Sequence, residues 1–464
     1  MFFGRRWALA LLLCGAGCRT DRACVPCSVE QHVGAVAAQR VEPEVVPVSA
    51  EFAAVSEQFS LPELWQLALV HNPALREAAA EIEAARGRFI QSGLYLNPEV
   101  TYQETGLGDT RDARGTLQLQ LRQEIITAGK LRLDMEIAAR SQDIAFLGMV
   151  NRKFDVLTRV RRAYYDYLTL DYTARVSDEV VASLEEFTET MRKLVEDVQS
   201  RPRHDLDRIR ALLEEARISQ ARARFNREAA WRQLAAEIGV TELDRPARPT
   251  DLPGDVPAWP ADLVRERVLA ASLEVRQATV AIDRARVQIQ RAEAQVTPNV
   301  TVGAGYQNQY TNNQQGGVVS VILPLPVWDR RQGAIHEAES RLFQTSAAQK
   351  SLVNRLQRDT ADALARYQGA TEQATRLSHE VIPLLERSLA GVKQEFAAGQ
   401  PRVTFADVLL ATQNLNAARL RLADIRREQW RAIADLEGLM QLDVEEPLPL
   451  PPVLDSEPNE ARPH

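Results

Sequence analysis

No cysteine occurs after residue 27 in this chain of 464 residues; all four, Cys14, Cys18, Cys24 and Cys27, sit at the N-terminus. A disulfide-stapled core and a zinc site of paired cysteines are therefore excluded from the body of the chain. Aromatic residues make up only 6%, too few for one compact core of large side chains. Ala, Arg, Glu, Leu and Gln dominate instead, a balance that suits long helices packed through small residues. A basic excess is missing as well. The formal net charge of −7 argues against a nucleic-acid partner, whose binding footprint is basic, and the interspersed Arg and Glu read as solvated helix faces. The nucleotide loop G-x-x-x-x-G-K-[ST] is absent. The six histidines, His32, His71, His204, His336, His379 and His464, form neither an H-E-x-x-H pair nor a cluster with cysteine. His204, at a helix turn, reads as a solvent-exposed residue rather than a ligand. No catalytic constellation, metal site or cofactor site is legible, and the chain does not read as an enzyme.

What is present is a repeat. Sliding the chain by 200 positions places Leu69, Arg76, Ala78, Ile82, Ala85 and Arg86 on identical residues at Leu269, Arg276, Ala278, Ile282, Ala285 and Arg286. The same shift sets Pro98-Glu-Val-Thr on Pro298-Asn-Val-Thr and Asp207-Arg-Ile-Arg-Ala on Asp407-Val-Leu-Leu-Ala. One further residue of slip aligns WRQLAAEIG, from Trp231, with WRAIADLEG, from Trp430. Register kept through helix, strand and turn signals marks an internal duplication.

Each unit has the same order of elements. A helix of about 35 residues is expected first, ending near Leu96 or Val296, where Asn97-Pro98 and Thr297-Pro298 break it. Alternating segments follow: NPEVTYQETG and GTLQLQLRQEI, then PNVTVGAGYQ and GGVVSVILPL. Leu117, Leu119 and Leu121 share one face, as do Val300, Val302, Ala304 and Tyr306, so each unit carries one hairpin closed by a polar, Gly-containing turn. No proline interrupts Lys130 to Ser200, where Val176, Val180, Leu184, Phe187, Met191, Leu194 and Val198 step by threes and fours. At 1.5 Å per residue that helix reaches about 105 Å. The second copy runs from Arg330 to Ala398, with a local kink expected at Pro383. Return helices of about 35 residues follow the breakers near Pro202 and Pro401. The expected organisation is therefore a lead over 18–60, a first repeat over 61–239, a linker with five prolines over 240–260, a second repeat over 261–440 and an acidic, Pro-rich, unpacked tail over 441–464.

The opening MFFGRRWALALLLCGAGC has a basic start, a short apolar run and small residues before a cysteine. It reads as an export signal over 1–17, since the apolar run is too short to span a bilayer. Gly-Ala-Gly followed by Cys18 resembles the lipobox of bacterial lipoproteins, with Cys18 acylated, although Gly15 stands where Leu is usual. Cys24-Val-Pro-Cys27 fits a small disulfide, a redox pair or no role.

Strands of about ten residues match the length needed to cross a membrane as a tilted barrel. Four strands cannot close one, because open edges leave backbone groups unpaired in lipid. Several chains would have to share a barrel, eight-stranded in a dimer or twelve-stranded in a trimer. The helices are too charged for lipid and project into the periplasm on this reading. Tyr95, Tyr102, Tyr306, Tyr310 and Trp328 flank the strands, either as interface anchors or as gap fillers.

LALVHNPAL, the paired breaks before the strands, ITAGKLRLD, VRRAYYDYL, ILPLPVWDRRQGAIHEAES, and the Phe396-Ala-Ala-Gly399 turn before FADVLLATQNL together resemble the TolC family of outer-membrane efflux proteins. The likeness spans about 61–440 and is closest to the heavy-metal, CzcC- and CusC-like branch. It implies a mainly α fold with a small β part, in which duplicated helical hairpins form a periplasmic α-barrel and four strands per chain join a shared outer-membrane β-barrel. It further implies a homotrimer serving as the passive exit duct of a tripartite (RND-type) efflux system for metal ions or small toxic compounds. Its partners would be a membrane-fusion adaptor, an inner-membrane pump and outer-membrane lipid, with no nucleic acid. Asp407, and with less support its repeat partner Asp207, fall where the family narrows its periplasmic aperture, though Leu410 replaces a second aspartate. The alternative for Asp407 is a carboxylate offsetting a helix dipole. Arg201, Pro202, Arg203, Gly399, Gln400 and Pro401 fall on the turns that meet the adaptor. A rival to the duct is an exported structural helical envelope protein without channel activity.

Overall fold

The computed structural model describes residues 60–106, 115–197, 203–241, 243, 256–310, 313–398 and 402–442. In chain order these form α1 (Leu61–His71), α2 (Pro73–Ser92), β1 (Glu99–Glu104), β2 (Thr116–Ile125), α3 (Lys130–Arg192) and α4 (Arg203–Ile238). The second repeat supplies α5 (Ala261–Ala271), α6 (Leu273–Ala294), β3 (Val300–Gln309), β4 (Gln314–Ile322), α7 (Gln332–Arg376), α8 (Ile382–Ala397) and α9 (Phe405–Met440). The signal segment 1–17, the lead up to residue 59 with Cys18, Cys24 and Cys27, most of the linker, and the tail from residue 443 lie outside the described residues.

The duplicated order of elements holds, with two departures from the sequence expectation. The opening helix of each repeat is two helices, broken at Asn72 and Ser272. Pro73 cannot continue α1 and forces the residue before it out of the helical region, and Asn72 Oδ1 then caps α2 by accepting from the Ala74 amide at 2.9 Å. Ser272 Oγ caps α6 in the same way. The long helices also carry π-helical turns. Lys193–Asp197 continues α3, and Leu377–Val381 separates α7 from α8. Pro383 sits just after the second, so its missing donor is absorbed by a widened turn. The expected ten-residue first strand is shorter, Glu99–Glu104.

The two hairpins merge into one antiparallel sheet of order β1-β2-β3-β4. Below it, helices pack in the same order as the strands they continue: α2 on α3, α3 on α6, α6 on α7. Farther along, α4 packs on α3, and α9 packs on α3, α7 and α8. The long helix α3 is thus the shared spine of both repeats.

The duplicated Trp-Arg phrases end on that spine. Trp231 lies 4.9 Å from Tyr167 and Trp430 4.6 Å from Tyr165, ring centre to ring centre. Both partners belong to the VRRAYYDYL stretch of α3, so one aromatic platform receives both return helices. Leu234, Ile238, Ile433 and Leu436, all fully buried, complete the main core around it, with Leu64 and Ala68 of α1 and Val264 and Val268 of α5. The first return helix stops at Gly239 (φ +95°), where a Cβ would stand 2.9 Å from Asn72 Cα, and Asn72 Nδ2 donates to Glu237 O at 2.7 Å. Only glycine permits this close approach in a left-handed conformation.

Candidate functional site

The sheet is the first functional element, and its register sorts the side chains into two sets. Val100 pairs with Leu121, Tyr102 with Leu119, Leu119 with Tyr306, Leu121 with Ala304 and Ala304 with Val319. Successive side chains alternate between faces, so these apolar residues, with Val321, share one face. The large ones among them are 42–79% exposed in the protomer. The opposite face carries Thr101, Gln103, Gln118, Gln120, Arg122, Gln307 and Ser320. There Gln120 is buried, donating to Ser320 Oγ and accepting from Arg122 Nε at 2.9 Å. Its amide occupies the space left by Gly303, where a Cβ would lie 2.8 Å from Gln120 Nε2. An exposed apolar face backed by a polar one is the sidedness of a strand set between lipid and an aqueous lumen. The faces agree with the alternation read in the sequence.

Among the described residues β1 and β4 each have one unpaired edge. Among the described residues no helix is long and apolar enough to cross a membrane. Tyr95 and Trp328 are 72% and 88% exposed, which removes the gap-filling reading within the protomer for both.

At the opposite end of the long helices, the turns 198–202 and 399–401 lie outside the described residues, and with them Arg201, Pro202, Gly399, Gln400 and Pro401. Arg203 begins α4 and is exposed. Asp407 stands in the first turn of α9, exposed, where its Oδ2 accepts from both the amide and the hydroxyl of Thr404 at 2.7 Å. The Thr404 hydroxyl, then its amide, hold the Asp407 carboxyl below the usual carboxylate range. This is the helix-terminus role weighed for Asp407 in the sequence, and it leaves the carboxylate on the surface. Asp207 is exposed two residues past Asp205, which is buried beside His204. No hydrogen bond or ion pair joins Asp207 to Asp407. Between the hairpins, Phe405 stacks on Phe187 at 5.9 Å within a cluster of Met191, Val195, Leu206 and Ile209.

Two charged features escaped the sequence reading. Arg161, 2% exposed, pairs with Glu437 at 3.2 Å and lies over the Trp65 ring at 4.9 Å. Burial lowers Arg161 and raises Glu437 despite their attraction, and it pushes the adjacent Tyr165 hydroxyl up to about 12. Asp166, also on α3, accepts from Arg427 and Arg431 of α9 at 3.2 and 2.5 Å. Both fix α9 against the spine. The only hint in the sequence is the density of charge inside an otherwise aromatic segment. Among the described residues no group of three or more His, Cys, Asp or Glu is placed to hold a metal ion.

The model of the outer membrane efflux protein family matches twice, over residues 64–240 and 264–440. This chain belongs to that family. The two matches coincide with the duplicated units. The chain is 25% identical over 424 residues to the cobalt-zinc-cadmium resistance protein CzcC of Cupriavidus metallidurans, covering 88% of this chain and 95% of that protein. The solved structure of CusC superposes with a TM-score of 0.69 at 17% identity, covering 82% of this chain and 91% of that one. The outer membrane protein VceC of Vibrio cholerae gives 0.68 at 18%, covering 82% and 95%. The chain is an outer-membrane efflux channel component of a tripartite system, with its helices in the periplasm, and not an enzyme. That membership favours the duct over the structural envelope rod.

Proposed function

We infer that three copies of this chain form a passive duct for metal cations, anchored to the outer membrane through Cys18. The observation that carries the reading is the sheet: four strands with one apolar face, one polar face and two open edges. Such a sheet is stable in lipid only when further copies close it, and three copies give the twelve strands that the family resemblance implies. Metal cargo is supported by the likeness to CzcC along nearly its whole length. The duct itself holds no energy source, so the driving force comes from the pump, of RND type on this reading, delivered through the adaptor at the turns containing Arg201–Arg203 and Gly399–Pro401. Asp407 and Asp207, exposed near those turns, would line the periplasmic opening and bias it towards cations; the Thr404 clamp keeps Asp407 ionised there.

Deleting the chain in its host and restoring it tests cargo. Sensitivity to cobalt, zinc or cadmium salts should rise on deletion and return to normal on complementation. Sensitivity to organic toxicants alone would overturn the metal assignment while keeping the duct. Mass spectrometry of the mature N-terminus checks the anchor: an unmodified terminus at any residue other than Cys18 would remove it.

A further inference from the structure

We propose that this chain binds a small oxyanion, a carboxylate or phosphate group of a dissolved solute, where Arg88 and Arg284 flank Ser141 on the inner side of the duct wall. The inner placement rests on the duct reading above; the binding site itself does not. Two cavities meet at this point. One, of about 600 Å³, lies below the sheet and is lined by Lys130, Asp134, Arg291 and Asn299 among others. The other, of about 580 Å³, continues along α3 between α2 and α6, past Gly148. Arg88 and Ser141 line both. They therefore stand at the junction, and Arg284 Nη1 reaches Ser141 Oγ there at 3.4 Å.

The polar face of the sheet runs into these cavities. Lys130 Nζ donates to Asn299 Oδ1 at 2.6 Å, and Asn299 Nδ2 donates to Glu124, two residues past Arg122 on that face. The opposite side of α3 is covered. Trp65 of α1 donates to Leu157 O, and Leu157 lies about 160° around the helix from Ser141. The cavities thus face the same way as the polar strand residues, toward the lumen of a closed ring.

Arg284 is the group left wanting an acceptor. It is half-buried, its Nε is buried without a hydrogen-bond partner, and among the described residues it makes no ion pair. A guanidinium fork with open donors matches the paired oxygens of a carboxylate or phosphate. Arg88 commits only Nη2, to Glu81 at 2.6 Å. Neighbouring charge does not cancel the site. Asp134 is held by Arg291 at 2.7 Å, and Lys130 Nζ donates to Thr297 O and Asn299 Oδ1, neither of them a carboxylate. Glu77, the lining carboxylate without an ion pair among the described residues, stands about 16 Å along α2 from Arg88. A polyvalent anion on the two arginines turns a positive patch into a negative one beside a path for cations.

The test uses the full-length oligomer in detergent, titrated calorimetrically at low salt with citrate and, separately, with inorganic phosphate; the tighter binder names the group. One anion should bind per chain, and added salt should weaken it. Arg284→Gln should weaken binding at least tenfold and Arg88→Gln severalfold. Arg284→Lys, which keeps the charge without the fork, should fall between wild type and Arg284→Gln. Arg222→Gln, exposed on α4, should change nothing. Circular dichroism and the SDS-resistant oligomer band check that each variant is folded. In planar bilayers citrate should raise the cation preference of the wild-type duct and leave Arg284→Gln unmoved. No saturable binding of either anion, or binding untouched by Arg284→Gln, would overturn the site and leave the duct standing, with Arg284 satisfied by water alone. Binding with no citrate effect on a conducting duct would overturn the inner placement. Binding by a protein that forms no conducting pore would overturn the duct and leave the site.

Discussion

Replacing Arg161 by methionine should loosen the second return helix from the spine, and the loss should depend on pH. Arg161 is 2% exposed and holds Glu437 at 3.2 Å. Removing one member of a buried pair strands the other, at a cost of about 3–5 kcal/mol. For a folded region of this size the unfolding entropy is roughly 0.8 kcal/mol per degree, so the midpoint should fall by about 4–6 °C. The sign of the pH effect follows from Glu437. Burial raises its carboxyl above the usual range and Arg161 pulls it back. A carboxyl with a raised folded pKa costs stability as pH climbs from the unfolded value through the folded one, and the cost is complete above it. Without Arg161 the folded value rises further, so the deficit should be small at and below the ordinary glutamate range and grow as pH climbs through the raised folded value. Thermal melts of the purified oligomer in detergent, followed by helical circular dichroism, read this directly. Arg161→Met with Glu437→Leu should recover most of the loss, since an apolar pair of similar volume removes the stranded charge. A deficit independent of pH, or no recovery in the double variant, would refute the reasoning.

Three further outcomes follow from the geometry. Gly239→Ala should destabilise by at least about 1 kcal/mol, because it puts a Cβ against Asn72 at a positive φ; a thermal melt equal to wild type would remove the joint from the argument. Gly305→Val places a branched side chain on the Leu119 carbonyl across the β2–β3 pairing, so the heat-modifiable band of a closed barrel should be lost while the helical signal persists. Asp407→Ala should speed amide exchange in the first turn of α9. That protection is present above the ordinary aspartate pKa and is lost as pH falls through the lowered folded value, so wild type and variant should converge in acid. Planar-bilayer cation preference that stays unchanged in Asp407→Asn would leave the aspartate its capping role and take it out of the aperture.

The sequence by itself determined the duplication, the order of helix and strand, and the two-faced strands. These are local facts: a 200-residue self-alignment, a period of two over Leu117–Leu121 and Val300–Tyr306, and a proline-free run from Lys130. The family resemblance followed from the same ordered motifs. Breaks at Asn72 and Ser272 were only half legible. Pro73 announces the first, but Ser272 has no proline after it, and its break shows only in its side chain capping the following helix at Val275. The tertiary structure alone decided that Tyr165 and Tyr167 receive Trp430 and Trp231, that Arg161 meets Glu437, and that Asp407 is clamped by Thr404 as well as facing solvent. Partners hundreds of residues apart are set by which helices share a spine, and periodicity fixes a buried stripe without saying which neighbour covers it.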